Sequence, residues 1–273
     1  MTAQSRTRPG TGTRARPTSA VPGPARALAA AGAVVALVAG LSACSSASED
    51  KDPEHRSFPL EGRTLTVDSD DSELEIVAVD SENPGRIEVT RWFKGSVALG
   101  DEPRVSWKMA GDRLTLGVHC SGFIADCAAR HRVEVPRGIA VKVENEDGRV
   151  RAQGFRDALS IRTEDGSVRV TDSSGPLELR SADGSVRAEV SSRRVTAHTG
   201  DGSVRLRLDA VPDRVESRSG DGSVTVELPR AAYRVTTRTG DGSVDVSVPR
   251  DDTSSHVVDA RTGDGKVTVR TAN

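Results

Sequence analysis

The sequence predicts an all-β chain: one β-solenoid of short rungs, with a more aromatic β portion capping its N-terminal end. Three observations carry that expectation. An Asp-Gly turn recurs with its glycines 18, 18, 18, 20, 20 and 23 residues apart, and a short fixed period is the mark of stacked repeats. The residues after each turn alternate apolar and polar, as in a strand with one buried face. No stretch beyond residue 44 carries a helical period. Composition agrees, because aromatics are 3% of 273 residues and glycines number 26. A large aromatic-centred core is excluded, whereas thin Val and Leu rungs with a glycine at each corner fit. The formal charge of -2 leaves no basic footprint for nucleic acid.

Along the chain, residues 1–26 carry Arg6, Arg8, Arg14, Arg16 and Arg26 and no acid. Ala27–Gly40 is an uncharged apolar run of 14 residues. A hydrocarbon core of about 30 Å is too thick for it to cross as a helix, but the run suits a signal-peptide h-region; a buried helix is the competing reading. Leu41-Ser42-Ala43-Cys44 follows directly and looks like a bacterial lipobox. That resemblance implies cleavage before Cys44 and diacylglycerol on its sulfur, so the mature protein is expected outside the cell, held on the outer face of the membrane by lipid. Each buried methylene of such a chain contributes about 0.8 kcal/mol. Losing residues 1–43 takes the formal charge from -2 to -7. Residues 44–57 lack apolar periodicity and read as a tether.

Residues 58–137 are expected to form the N-terminal β portion. They hold Phe58, Trp92, Phe93, Trp107 and Phe123, five of the seven aromatics, and strand-like runs from Thr64, Leu74, Ile87, Val105 and Leu114 separated by turn residues. Trp92 and Trp107 are assigned to packing, with a sugar-stacking platform as the alternative. Cys120 and Cys127 are expected to form a disulfide, worth roughly 2.5 kcal/mol for so short a loop. The alternative is a Cys2His2 metal site with His119 and His131, although structural zinc sites usually space their cysteines by two to four residues.

Residues 138–273 are expected to be the repeat solenoid. Its turns are Asp147-Gly148, Asp165-Gly166, Asp183-Gly184, Asp201-Gly202, Asp221-Gly222, Asp241-Gly242 and Asp264-Gly265. Glycine is expected to accept positive φ at the corner, and Asp to accept hydrogen bonds from following N–H groups. Regular stacking favours strand pairing between successive repeats; hairpins within a repeat are the alternative. Rungs about 4.8 Å apart would align the aspartates into a ladder, each neighbouring pair costing roughly 0.9 kcal/mol before screening. A column of Arg162, Arg180, His198, Arg218, Arg238 and Arg261 is the candidate to offset it. Thr163, Ser181, Thr199, Ser219, Thr239 and Thr262 form a hydroxyl column between the two. The corner reads first as self-satisfied and secondly as a Ca²⁺ site, although calcium-binding rolls with GGxGxD nonapeptides hold two such loops per 18 residues where this chain has one.

The segment Val133–Ile139, then Val141–Glu144 and the tandem TGDGSV repeats, resembles the bacterial β-strand-repeat family labelled "putative adhesin", a domain of unknown function. The resemblance spans about residues 60–273 and implies a right-handed β-solenoid, an extracytoplasmic setting and no established catalytic residue. Early repeats depart from it, with Glu146, Glu164 and Ala182 where Gly200, Gly220, Gly240 and Gly263 stand later. The five histidines are scattered, and no GxSxG, HExxH or phosphate loop occurs. No cofactor and no enzyme activity are therefore expected. The leading reading is a lipid-tethered binding, adhesion or envelope-sensing module whose flat polar face meets an envelope polymer, a cationic peptide or a protein. A structural envelope scaffold is the alternative, and a polysaccharide-acting enzyme a more distant one.

Overall fold

The computed structural model describes Ala47 and residues 50–272, within the compact unit Cys44–Asn273. The expected leader and lipidation at Cys44 lie outside the described residues. Ahead of the repeats run β1 (Glu54–Pro59), β2 (Thr64–Ser69), β3 (Ser72–Val79), β4 (Arg86–Gly100), β5 (Arg104–Ala110), β6 (Arg113–His119) and β7 (Gly122–Pro136). The repeats supply β8 (Ala140–Asn145), β9 (Val150–Gln153), β10 (Leu159–Thr163), β11 (Val168–Thr171), β12 (Leu177–Ser181), β13 (Val186–Val190), β14 (Arg194–Thr199) and β15 (Val204–Leu208). The last strands are β16 (Arg214–Ser219), β17 (Val224–Leu228), β18 (Arg234–Thr239), β19 (Val244–Val246), β20 (Val257–Thr262) and β21 (Val267–Thr271). No α-helix occurs among the described residues.

Each repeat gives one strand to each of two sheets, of 11 and 10 strands. The Asp-Gly corner joins the two strands of a rung. Pairing is parallel and runs between repeats: Val168 lies between Val150 and Val186, and Leu177 between Leu159 and Val195. Strand alternation places Val150, Val168, Val186, Val204 and Val224 inside, where they meet the apolar residues of the other sheet in one continuous core. Side-chain size is complementary within rungs: Leu179 accompanies Ala188, and Ala197 accompanies Leu206, all fully buried.

Spatial order departs from chain order at both ends. At the N-terminal end β2 and β3 pair with β8 and β9, while β6 and β7 stack on the far side of β2 and β3. The parallel rungs therefore begin well before residue 138; that boundary marks a change of sequence pattern, not of layer. Beyond β6 and β7 the pairing turns antiparallel, with β5 on β6 and β4 on β7, then β1 on β4. Glu54–Ser57, in the segment expected to be a tether, belongs to β1. At the C-terminal end β20 and β21 slip between β16/β17 and β18/β19, leaving the earlier strands at the edge.

The glycine corners need a correction. Among them only Gly148 has positive φ, +98°. The others are glycine because successive corners nearly touch: a Cβ on Gly184 would lie 2.0 Å from the Gly166 carbonyl oxygen, and one on Gly202 2.3 Å from that of Gly184.

Candidate functional site

Corner chemistry also differs from expectation, since the turn aspartates accept no hydrogen bond from their own turn. The hydroxyl column does that work. Ser181 Oγ donates to Gly166 O at 2.9 Å and accepts from Gly184 N–H at 2.9 Å. Ser219 repeats the arrangement with Gly202 O at 2.7 Å and Gly222 N–H at 2.9 Å, and Thr199 and Thr262 donate likewise to Gly184 and Gly222. Where glycine replaces Glu or Ala two residues before the corner glycine, the backbone tightens. Gly200 N–H donates to Ala182 O at 2.6 Å and Gly220 N–H to Gly200 O at 2.6 Å, against 3.1 Å from Glu164 to Glu146.

The aspartates of the repeated turns are left exposed along one edge of the stack. At its N-terminal end Asp70, Asp71, Glu146, Asp147, Glu164 and Asp165 crowd together. Desolvation and the neighbouring Asp165 and Asp71 raise the Asp147 carboxyl above its ordinary range. The Asp70 charge, then desolvation, does the same to Glu146. Among the described residues no three His, Cys, Asp or Glu side chains are grouped to hold a metal ion.

The expected arginine column exists, but its partners are not the turn aspartates. Register stacks Arg162, Arg180, His198, Arg218, Arg261 and Arg238 on one outer face. Each paired arginine reaches the acid two residues earlier on its own strand: Arg180 to Glu178 at 2.8 Å, Arg218 to Glu216 at 2.7 Å and Arg261 to Asp259 at 2.5 Å. Residues i and i+2 share a strand face, so this partner is nearer than the corner. Desolvation, then Arg180 and Arg218, lowers the His198 pKa, so this member of the column takes up a proton less readily than an ordinary histidine.

A second column, which spacing arguments missed, lies on the other outer face. Arg151, Arg169, Arg187 and Arg205 are consecutive register partners. The signal was present as Arg one residue after the repeat valines Val150, Val168, Val186 and Val204, with Thr or Asp in that place in the later repeats. Arg151 pairs with Glu73, while Arg169 and Arg187 share Glu189 at 3.4 and 2.8 Å. Arg205 makes no ion pair among the described residues. Arg187 and Arg205 open onto a groove of about 510 Å³ also lined by Arg207, Lys266 and Arg270 and by the acids Glu189, Glu227 and Asp245, of which Glu227 pairs with Arg270 and Asp245 lies 3.7 Å from Lys266.

The remaining candidates are structural in geometry. Cys120 and Cys127 are disulfide-bonded, with Cα atoms 6.2 Å apart. His119 and His131 do not join them: His119 is exposed, whereas His131 is buried with Nδ1 3.1 Å from Ser72 Oγ. Ser72 Oγ is in turn 2.7 Å from Ser69 Oγ. Burial, then the Arg91 charge, lowers the His131 pKa to about 4. This Ser–His pair is sealed from solvent and faces a cation instead of an orienting carboxylate, so it lacks the geometry of an activated nucleophile. Trp92 and Trp107 lie in different sheets, each with an arginine over its ring, Arg130 at 5.0 Å and Arg91 at 4.2 Å. Trp107 also meets Phe58 edge-on at 6.2 Å. They form no shared platform.

No curated protein matches the chain. Among solved structures it is similar to a "putative adhesin" from Parabacteroides distasonis ATCC 8503, with 11% identity, TM-score 0.43, and 81% of this chain and 97% of that one covered. It is similar to a "putative adhesin" from Bacteroides fragilis NCTC 9343, with 12% identity, TM-score 0.39, and coverage of 83% and 99%. It is also similar to a "putative cell adhesion protein" from Clostridium sporogenes ATCC 15579, with 12% identity, TM-score 0.37, and coverage of 81% and 100%. The Asp-Gly corners and the rungs from β8 to β21 fall within residues 131–273, which match the Toastrack DUF4097 family profile; the chain belongs to that family.

Proposed function

We propose that the chain is an exported, non-catalytic binding module of the cell envelope, held at the membrane by lipid on Cys44, and that its ligand is an anionic envelope polymer lying across the rungs. One observation carries the ligand class: Arg151, Arg169, Arg187 and Arg205 stack on consecutive rungs with only Glu73 and Glu189 paired to them. Stacked like charges repel, and a polymer with regularly placed anionic groups relieves that repulsion at several rungs at once. The mature charge of -7 does not recruit such a ligand, so capture is local to the column. A right-handed coil accords with the usual hand of parallel crossovers. The test is titration of the full chain with polyglycerol phosphate, dextran and oligolysine. Binding of polyglycerol phosphate that weakens with salt supports the reading; equal binding of dextran, or binding of oligolysine alone, contradicts it.

A further inference from the structure

The ends of β4 and β7 form a two-stranded antiparallel ribbon. Pairing of β7 with β3 begins only at Ala129, and pairing of β1 with β4 stops at Arg91. Among the described strands, residues 94–100 and 122–128 therefore form their backbone ladder with each other, from Lys94 and Ala128 out to Gly100 and Gly122. At the tip Leu99, Phe123 and Ile124 are 85%, 83% and 63% exposed, the three most exposed large apolar side chains among the described residues. Leu99 also holds a left-handed backbone, φ +59°, which a bulky side chain rarely adopts. The disulfide between Cys120 and Cys127 ties the β7 side of this ribbon to the end of β6.

The described chain begins beside the same ribbon. Phe93 N–H donates to Asp50 Oδ2 at 3.0 Å, and Asp50 N–H to Ala47 O at 3.2 Å. Cys44 is three residues from Ala47, a reach of at most about 11 Å. The tip lies six residues beyond Phe93, about 20 Å along the strand. We infer that the ribbon tip is a membrane-inserting wedge: Leu99, Phe123 and Ile124 enter the interface of the bilayer that carries the lipid anchor. The placement of the bilayer rests on the anchor proposed above. Exposed Asp101 and Glu102 follow the tip, so the apolar contact is stronger on neutral than on anionic lipid, and salt narrows that difference by screening the repulsion.

The experiment places an indole at the tip with Phe123→Trp in the full chain, and a second indole at the far end of the stack with Thr236→Trp. Each variant is bound to phosphatidylcholine vesicles with and without bromine on the acyl chains, and wild type supplies the background of Trp92 and Trp107. The expected result is a blue shift and about twofold quenching by brominated lipid for Phe123→Trp, with protection from iodide, and neither for Thr236→Trp. Iodide access unchanged by vesicles overturns the proposal. So does shielding that appears without lipid as protein concentration rises, which would assign the tip to a second copy. Mass spectrometry of the same preparation reads Cys44 separately: a quenched tip on an unlipidated chain keeps the wedge and removes the anchor, and an unquenched tip on a lipidated chain does the reverse.

Discussion

At the scale of single residues, the core holds one unpartnered hydroxyl among the described residues. Ser217 is fully buried with an unpartnered Oγ, stacked between Ala197 and Ala260. Ser217→Ala should raise stability by about 1 kcal/mol, measured by urea unfolding, because it removes a desolvated group and leaves almost the same volume. The corner glycines give the opposite sign. Gly202→Ala should cost about 3 kcal/mol, because its Cβ meets the Gly184 carbonyl oxygen at 2.3 Å. Gly111→Ala, at φ +58° in open space, should cost only about 1 kcal/mol. Position and residue type at the corners were readable from the repeat; the cause was not, because close approach of two backbones belongs to the stack and leaves no trace within one turn. His131 carries the pH prediction. Its folded pKa of about 4 lies below the ordinary 6.5, so the unfolded chain binds the proton first, and stability is lost as pH falls from about 6.5 towards 4. Relative to His131→Leu, wild type should lose about 3 kcal/mol over that window in acid-unfolding curves. The raised carboxyls of Asp147 and Glu146 act oppositely, since they bind protons more tightly when folded and their repulsion eases in acid.

Among elements, the strands were legible because alternation is local. Their slots at the two ends were not, because the inward residues Val258 and Ala260 of β20 would suit any rung as well as the one they fill. The order β16, β20, β18 has a consequence for cooperativity. β18 and β19 pair only with β20 and β21, so their stability depends on residues that follow them in the chain. Deleting residues 251–273 should abolish amide protection of β18 and β19 in hydrogen exchange while β8 to β15 keep theirs. Persistent protection of β18 would mean that it re-pairs with β16. Joint replacement of Cys120 and Cys127 by serine should cost about 2.5 kcal/mol in thermal unfolding and loosen the β4/β7 ribbon selectively.

Over the whole stack, charge is arranged in stripes: an edge of exposed aspartates and an arginine column on each outer face. The sequence shows the spacing of these stripes plainly, yet ion-pair partners depend on which residues share a strand face, and a linear count from corner to arginine misassigns them. Arg162, Arg205 and Arg238 remain without an ion pair among the described residues, so cationic capacity is left over on both faces. Binding through a column should show a salt dependence set by the number of arginines engaged, with little effect on folding when they are removed, because half-exposed ion pairs contribute at most about 1 kcal/mol each. The most direct measurement compares the full chain with its Arg169→Ser, Arg187→Ser, Arg205→Ser triple variant in polyglycerol phosphate binding across a salt series. The account predicts an unchanged melting temperature, at least about tenfold weaker binding at low salt and a shallower salt dependence for the variant. Equal affinity and an equal salt dependence in the two proteins would contradict it.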